Sequence, residues 1–223
     1  MISNLDKLES IVGYHFLDSR LLDRALTHRS FSGDNNERLE FLGDSVLGVI
    51  VSTILYCLYT ETEEGELTRM RARLVKKDTL AHVARQLQLG NYLKLGGSAA
   101  KGGGRGNDSI LADALESLIA AVYLDAGFEQ ARISVERIFE EELSAIDPGH
   151  IAKDPKTELQ ELLQSRGVPL PKYRVESISG SSHEPDFVVS CYVEDNHLVQ
   201  TGTGSSRKSA EQAAAKKLLL ILR

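Results

Sequence analysis

Five carboxylates, set in two otherwise apolar stretches, are the residues of this sequence best suited to chemistry. Glu37, Glu40 and Asp44 recur at intervals of three and four, which places them within about a 60° arc of one helix face. Asp113 and Glu116 form a second pair at i, i+3. Unpaired carboxylates repel one another and are costly to bury. A shared hard divalent cation would stabilise them, and oxygen ligands of this kind suit Mg²⁺ or Mn²⁺.

The same acids have a purely structural interpretation. Acidic pairs on helices are usually solvated or paired with basic residues, and several arginines are available: Arg38, Arg69, Arg71 and Arg73. Spacing alone does not decide between an ion site and an all-α protein with salt-bridged acids. Glu64, in the acidic run 63–66, could add a further carboxylate from a loop.

The elements that carry these acids are predicted to be helices. Residues 36–59 form a long apolar helix candidate, and further helices are predicted over 68–89, 109–126 and 129–143. The glycine-rich stretch 96–106 is predicted to be a loop. Strand alternation is not convincing anywhere in this part of the chain. We therefore predict an all-α domain over residues 1–146.

A different pattern begins after residues 147–153, which contain proline and glycine and are predicted to be a linker. The apolar periodicity then predicts a helix, three strands and a helix, over 155–166, 173–178, 187–193, 197–201 and 206–221. Residues 154–223 are thus predicted to form a second, α+β domain of α-β-β-β-α order.

Charge is distributed unevenly between the two predicted domains. The 223 residues carry a formal net charge of −6, yet residues 154–223 hold nine basic and nine acidic residues, so the excess acid lies before the linker. The last 25 residues carry five basic side chains and one acidic. This segregation favours a basic surface on the second domain.

Cysteine content and hydropathy indicate the cellular setting. Cys57 and Cys191 are far apart, which argues against a disulfide framework or a structural zinc site. The N-terminal segment does not resemble a signal peptide. The longest uncharged run, residues 45–60, is shorter than the roughly 20 residues that span a bilayer. We expect a cytoplasmic protein with no membrane partner.

Several motifs together resemble one enzyme family. NERLEFLGDS at residues 36–45, ALTHRS at 25–30 and LADALESLI at 111–119 are similar to motifs of the ribonuclease III family. KTELQE at 156–161 and GTGSSRKSAE at 202–211 resemble a double-stranded-RNA-binding domain. The resemblance covers nearly the whole chain, in the order found in the bacterial members.

This resemblance implies a Mg²⁺-dependent endoribonuclease that cuts double-stranded RNA, with Mn²⁺ able to replace Mg²⁺. Glu40, Asp44, Asp113 and Glu116 would hold the metal, with Asp44 and Glu116 the most important for catalysis. Glu37 and Glu64 would position the substrate. The implied products carry 5′-phosphate and 3′-hydroxyl ends with short 3′ overhangs, and the expected substrates are ribosomal RNA precursors and messenger RNA.

The resemblance also implies a homodimer formed through the endonuclease domain, with Phe41 inserted into the partner subunit. From spacing alone, Phe41 could equally be an ordinary core aromatic. A regulator that binds double-stranded RNA without cutting it is the alternative function, although the retention of all five carboxylates argues against it.

Duplex RNA is recognised mostly by shape and through its phosphates and 2′-hydroxyls. The second domain offers a helix face, a loop histidine and basic side chains on its last helix, and the predicted RNA contacts are Thr157, Gln160, Glu161, His183, Arg207, Lys208 and Lys216. For the basic residues the alternative is a solvated helix face.

Overall fold

The structure is a computed structural model that describes residues 4–146, 154–181, 184–193 and 198–222. It divides into two compact units, Met1–Ile151 and Ala152–Arg223. The first is helical and the second has the order α-β-β-β-α, which confirms the predicted fold class. The predicted linker, 147–153, lies outside the described residues.

The first unit is built from helices of very different length. They are α1 (Asn4–Val12), α2 (Ser19–Ala25), α3 (Glu37–Leu58), α4 (Glu64–Val75), α5 (Lys77–Gln86), α6 (Gly97–Lys101), α7 (Asp108–Ile138) and α8 (Glu140–Ser144). Short 3₁₀ turns cover Leu89–Asn91 and Gly104–Gly106.

Helices α3 and α7 form the centre of this unit. Both bury apolar residues in one core, among them Leu47 and Ile50 from α3 and Leu115 and Leu118 from α7. Helix α7 is interrupted at Gly127, where a φ of 81° suits glycine. Among the described residues, α3 is the one helix long and apolar enough to cross a membrane by length and composition. Its packing against α7 gives it the role of a core helix here.

Two predictions for the first unit were wrong in detail. The helix predicted over 68–89 is two helices, because Lys76 adopts an extended ψ of 150° between α4 and α5. The break starts a new helix that runs along α7. The glycine-rich stretch is also not all loop, since it contains α6 and one of the 3₁₀ turns.

The second unit packs two helices on one sheet. Its elements are α9 (Pro155–Ser165), β1 (Lys172–Ser181), β2 (Glu184–Val193), β3 (Leu198–Gly204) and α10 (Arg207–Leu222), and the antiparallel strands lie in the order β1-β2-β3. Leu159, Cys191 and Leu218 are fully buried in its core. A Cβ added to Gly202 would lie 2.2 Å from the Ala214 nitrogen, so glycine lets β3 lie directly against α10.

Candidate active site

A glycine allows the two acid-bearing helices to approach each other. A Cβ on Gly43 of α3 would lie 2.0 Å from the carbonyl oxygen of Glu116 on α7, a separation that real atoms do not tolerate. Gly43 belongs to the same sequence motif as Glu40 and Asp44. The close contact therefore brings the acids of α3 beside those of α7.

Polar contacts hold the beginnings of these helices in register. The Asn107 side chain caps α7 by accepting hydrogen bonds from the backbone N–H groups of Ser109 and Ile110, at 3.0 and 3.2 Å. The Ser117 hydroxyl lies 2.7 Å from the Asp113 carbonyl oxygen and 3.2 Å from that of Asn36, the residue before α3. The cap fixes the start of α7, and the Ser117 hydroxyl links the third turn of α7 to the residue before α3.

Three carboxylates meet at this contact. Oxygen atoms of Glu40, Asp113 and Glu116 lie within 4.8 Å of one another, close enough to share a metal ion. Asp44 is exposed on α3 and acts on Glu116 electrostatically. In the part of the chain that the structure describes, no basic side chain lies within ion-pair distance of these four acids. The arginine pairing considered as an alternative is not formed here.

The cluster shows the electrostatic cost of its own assembly. Burial, together with the smaller effect of the charges on Asp44, Asp113 and Glu40, raises the pKa of Glu116 to about 8. Burial also raises the pKa of Glu40 and of Asp113. Carboxylates with raised pKa values at one point are what a bound cation would stabilise in the ionised form.

The remaining predicted acids of the first unit lie outside this three-residue group. Glu37 is exposed in the first turn of α3 and pairs with Arg29 at 3.3 Å. Glu64 begins α4 and accepts a hydrogen bond from the Thr68 hydroxyl at 2.8 Å. It lines a separate cavity of about 440 Å³ with residues that include Tyr56.

Basic side chains lie beside the acidic site, which sequence reasoning did not foresee. A cavity of about 380 Å³ is lined by His28 and Arg29 as well as by Glu40 and Asp113. Lys77 adds a second cationic side chain besides Arg29, since its ammonium lies 3.4 Å from the hydroxyl of Ser109, another lining residue. His28 and Arg29 fall in a motif noticed in the sequence, but no spacing signal connects Lys77 to the acids.

One face of α3 is apolar yet uncovered within the chain. Phe41, Val49 and Tyr56 are 80%, 57% and 74% exposed, and their spacing places them on the same side of the helix. Phe41 is therefore not a core aromatic of its own chain. An exposed apolar face of this kind is typical of a protein interface.

The second unit presents the predicted RNA-contact residues of α9 together. Thr157, Gln160 and Glu161 are all exposed, on the side of α9 away from the buried Leu159 and Leu163. The helix begins at Pro155 and is capped by the Asp154 side chain, which accepts a hydrogen bond from the backbone N–H of Lys156 at 2.9 Å. His183 lies outside the described residues.

A buried acid of α10 holds one basic residue at the start of each helix of the second unit. Glu211 is 8% exposed, and its carboxylate accepts hydrogen bonds from the Lys156 ammonium at 2.6 Å and from the Arg207 guanidinium at 2.9 Å. Sequence reasoning treated Glu211 only as an exception in a basic segment and missed this role. Lys208 and Lys216 are exposed. The beginnings of α9 and α10 thus carry basic groups held by one carboxylate.

Comparison with known proteins gives matches over both units. Residues 18–142 match the family described as Ribonuclease-III-like, and residues 155–222 match the double-stranded RNA binding motif. The chain is 50% identical over 222 residues to a protein named Ribonuclease 3 from Hahella chejuensis, covering 100% of this chain and 98% of that protein. It is 48% identical to Ribonuclease 3 from Aromatoleum aromaticum over 223 residues, which cover 100% and 99% of the two chains.

Solved structures resemble the first unit. The crystal structure of the nuclease domain of ribonuclease III from Campylobacter jejuni shares 42% identity with a TM-score of 0.62, and the match covers 65% of this chain and 99% of that one. A second structure of that domain, with a TM-score of 0.61 and 42% identity over 63% of this chain and 99% of that one, is described as flexible in a region involved in dimer formation.

Proposed function

The chain belongs to the ribonuclease III family and is an endoribonuclease with a double-stranded-RNA-binding domain. From this premise we propose that it cuts double-stranded RNA by Mg²⁺-dependent hydrolysis of phosphodiesters. The products would carry 5′-phosphate and 3′-hydroxyl ends with short 3′ overhangs. We place the domain boundary within residues 147–153, and the protein in the cytoplasm, where ribosomal RNA precursors and messenger RNA would be its substrates.

The carboxylate cluster is the observation that carries this proposal. Oxygen atoms from Glu40, Asp113 and Glu116 converge within 4.8 Å, and the ionised form of Glu116 is disfavoured when no cation is present. An all-oxygen set without cysteine or histidine fits a hard cation such as Mg²⁺ or Mn²⁺ rather than zinc. The residues present therefore fit the metal that the family requires.

Each acid has a definite part in the proposed site. Glu40, Asp113 and Glu116 hold the cation, and Asp44 completes the ligand set from the exposed side of α3. Bound Mg²⁺ would activate a water molecule and offset the negative charge of the phosphate. Gly43 lets the helices approach closely, so that the acids of α3 lie beside those of α7. Glu37 and Glu64 position the RNA rather than the metal.

Duplex RNA is held mainly by the second unit in this proposal. Thr157, Gln160 and Glu161 present donors and acceptors along one exposed helix face, suited to 2′-hydroxyls in a minor groove. His183 contacts a neighbouring groove. The basic contacts to phosphate come from α10: Arg207, Lys208 and Lys216. The nuclease unit, which carries the excess of acid, should contribute little binding without metal.

The nuclease unit acts as a homodimer in this proposal. The exposed apolar face of α3 is its basis, with Phe41 as the most exposed aromatic. Beside Tyr56, a cavity of about 440 Å³ with Leu55 and Leu67 in its wall offers an apolar receptor for an aromatic ring. Two active sites, one for each RNA strand, follow from twofold symmetry.

The direct test is cleavage of a defined duplex RNA by the full-length protein. We expect cleavage with Mg²⁺ and with Mn²⁺, none with EDTA, and none from single-stranded RNA of the same sequence. Asp44→Asn and Glu116→Gln should lose cleavage while retaining duplex binding, and end-mapping of the products should give staggered cuts.

Two outcomes would contradict the proposal in different ways. If the wild type binds the duplex but never cuts it, the protein is a non-cleaving RNA-binding regulator. If Asp44→Asn and Glu116→Gln cut at the wild-type rate, the reaction occurs elsewhere in the molecule and the assigned site is wrong.

A further inference from the structure

His28 presents a hydrogen-bond donor next to the acidic site. Its Nδ1 accepts a hydrogen bond from the backbone N–H of Ser30 at 3.1 Å and also lies 2.8 Å from the Ser30 hydroxyl. A backbone amide can only donate, so Nδ1 carries no hydrogen and the neutral ring holds its hydrogen on Nε2. The ring lines the cavity of about 380 Å³ that Glu40 and Asp113 also line.

Two cationic side chains lie around the same cavity. Arg29 lines it and makes a 3.3 Å contact with Glu37, in which both side chains are largely exposed. Lys77, at the start of α5, reaches the hydroxyl of Ser109 in the cavity wall. His28 and Arg29 line the cavity together with Asp113, and Lys77 reaches it at Ser109, so three donor groups lie beside one carboxyl.

Charge balance alone does not account for this arrangement. Within the residues that the structure describes, neither Arg29 nor Lys77 lies within 4.0 Å of a carboxylate oxygen of Glu40, Asp113 or Glu116. Their donors instead surround a cavity beside the acids. An exposed ion pair such as Arg29 with Glu37 is weak and can be exchanged for a ligand. A cavity that is bordered both by cation ligands and by hydrogen-bond donors suits an anion that also touches the metal.

We propose that His28, Arg29 and Lys77 form a phosphate subsite beside the acidic cluster, which positions the RNA strand being cut. The subsite rests on the proposed function, because its ligand is the RNA backbone. Ser109, which Lys77 contacts, precedes Asp113 by one helical turn, about 6 Å along α7. The subsite therefore holds a phosphate next to the reacting one on the same strand. Lys77 is a positioning residue, which contacts RNA and is not itself a metal ligand.

The adjacent lysine provides a matched control. Lys76 and Lys77 are neighbours at the start of α5, and both are exposed, so loss of either charge should leave the fold intact. Lys76 lies 4.0 Å from Asp78 and lines a different cavity, which it shares with His82. Lys76→Gln and Lys77→Gln therefore each remove one positive charge from the same helical turn, but only Lys77 contacts Ser109.

The first measurement is binding of the full-length protein to a duplex RNA, followed by fluorescence anisotropy as salt is varied. Each lysine variant is made in a Glu116→Gln background to prevent cleavage, and binding is measured at saturating Mg²⁺, because the nuclease unit should contribute little binding without metal. We expect Lys77→Gln to reduce the slope of log affinity against log salt by about one, and Lys76→Gln to leave it unchanged. Lys77→Arg should restore the slope, because it restores a cation.

The second measurement is single-turnover cleavage with Glu116 intact. We expect Lys77→Gln to cut on the order of tenfold more slowly than wild type at saturating Mg²⁺, with Lys76→Gln unchanged. Equal salt slopes for the two variants would overturn the subsite. The subsite would also be overturned if Lys77→Gln left the salt slope unchanged and cut at a lower Mg²⁺ concentration than wild type. Lys77 would then only balance the charge of the acidic cluster. Absence of cleavage by the wild type would instead contradict the proposed function.

Discussion

Replacement of Glu116 by glutamine should stabilise the metal-free protein while abolishing its activity. In the metal-free site, burial and the neighbouring carboxylates raise the pKa of Glu116 from 4.5 to about 8. A carboxyl whose pKa is raised by folding favours the folded state at low pH, and this contribution is lost as pH rises from about 4.5 to about 8. Glutamine occupies nearly the same volume but carries no charge at any pH, so it avoids this loss.

The size of the effect follows from the interval between the two pKa values. A rise from 4.5 to about 8 corresponds to roughly 5 kcal/mol at about 1.4 kcal/mol for each tenfold change in proton affinity. Water reaches part of this site and screens the charges, so we expect about half of that. Between pH 5.5 and pH 8.5, the free energy of unfolding of the wild type should fall by about 2 kcal/mol relative to Glu116→Gln.

The assay is urea unfolding in EDTA at both pH values, followed by the helical circular dichroism signal. Glu61→Gln, which replaces an exposed acid of the same unit, is the control and should show no such pH-dependent difference. Added Mg²⁺ should restore stability to the wild type and much less to Glu116→Gln. A metal-free Glu116→Gln protein that is no more stable than wild type at pH 8.5 would refute the electrostatic account of the cluster.

Three further changes test other parts of the structure. Gly43→Ala should destabilise the nuclease unit by about 3 kcal/mol in thermal unfolding and abolish cleavage, because the added methyl group would clash with α7. The control is Gly97→Ala, whose methyl group meets no atom within 4 Å and should change stability by less than about 0.5 kcal/mol. Phe41→Ala should leave the unfolding transition of the monomer unchanged but weaken dimerisation at least tenfold in sedimentation experiments; an unchanged dimer would exclude this contact. Glu211→Gln should cost the RNA-binding unit about 2 kcal/mol near neutral pH and nothing at low pH. Burial raises the pKa of Glu211, but the hydrogen bonds from Lys156 and Arg207 outweigh burial and leave the pKa lowered. The stabilisation by Glu211 is therefore lost as pH falls, and a cost that does not depend on pH would contradict this reasoning.

The order of elements could be predicted because it depends on local pattern. The apolar run that predicted a helix over 36–59 became Glu37–Leu58, and the last helix, predicted over 206–221, became Arg207–Leu222. The break at Lys76 was missed because no proline or glycine marks it in the sequence. That break is set by how α4 and α5 pack on the other helices, which a local pattern does not record.

The candidate site was predictable in part for a related reason. Glu40 and Asp44 share one helix face by spacing alone, as do Asp113 and Glu116. The position of Lys77 across the cavity from Asp113 could not be foreseen, because no regular interval connects them. Likewise, nothing in the local pattern distinguishes Glu211 as the buried acid that holds two basic side chains.

The sequence by itself therefore determined the fold class and the order of the main helices and strands, which acids share a helix face and which family the motifs resemble. All of these depend on residues a few positions apart, whose geometry the backbone repeat dictates. Only the tertiary structure decided that three carboxylates from two helices converge within 4.8 Å, that Gly43 permits the contact and that basic groups face them. Those properties depend on distances between segments far apart in the chain, and packing sets such distances.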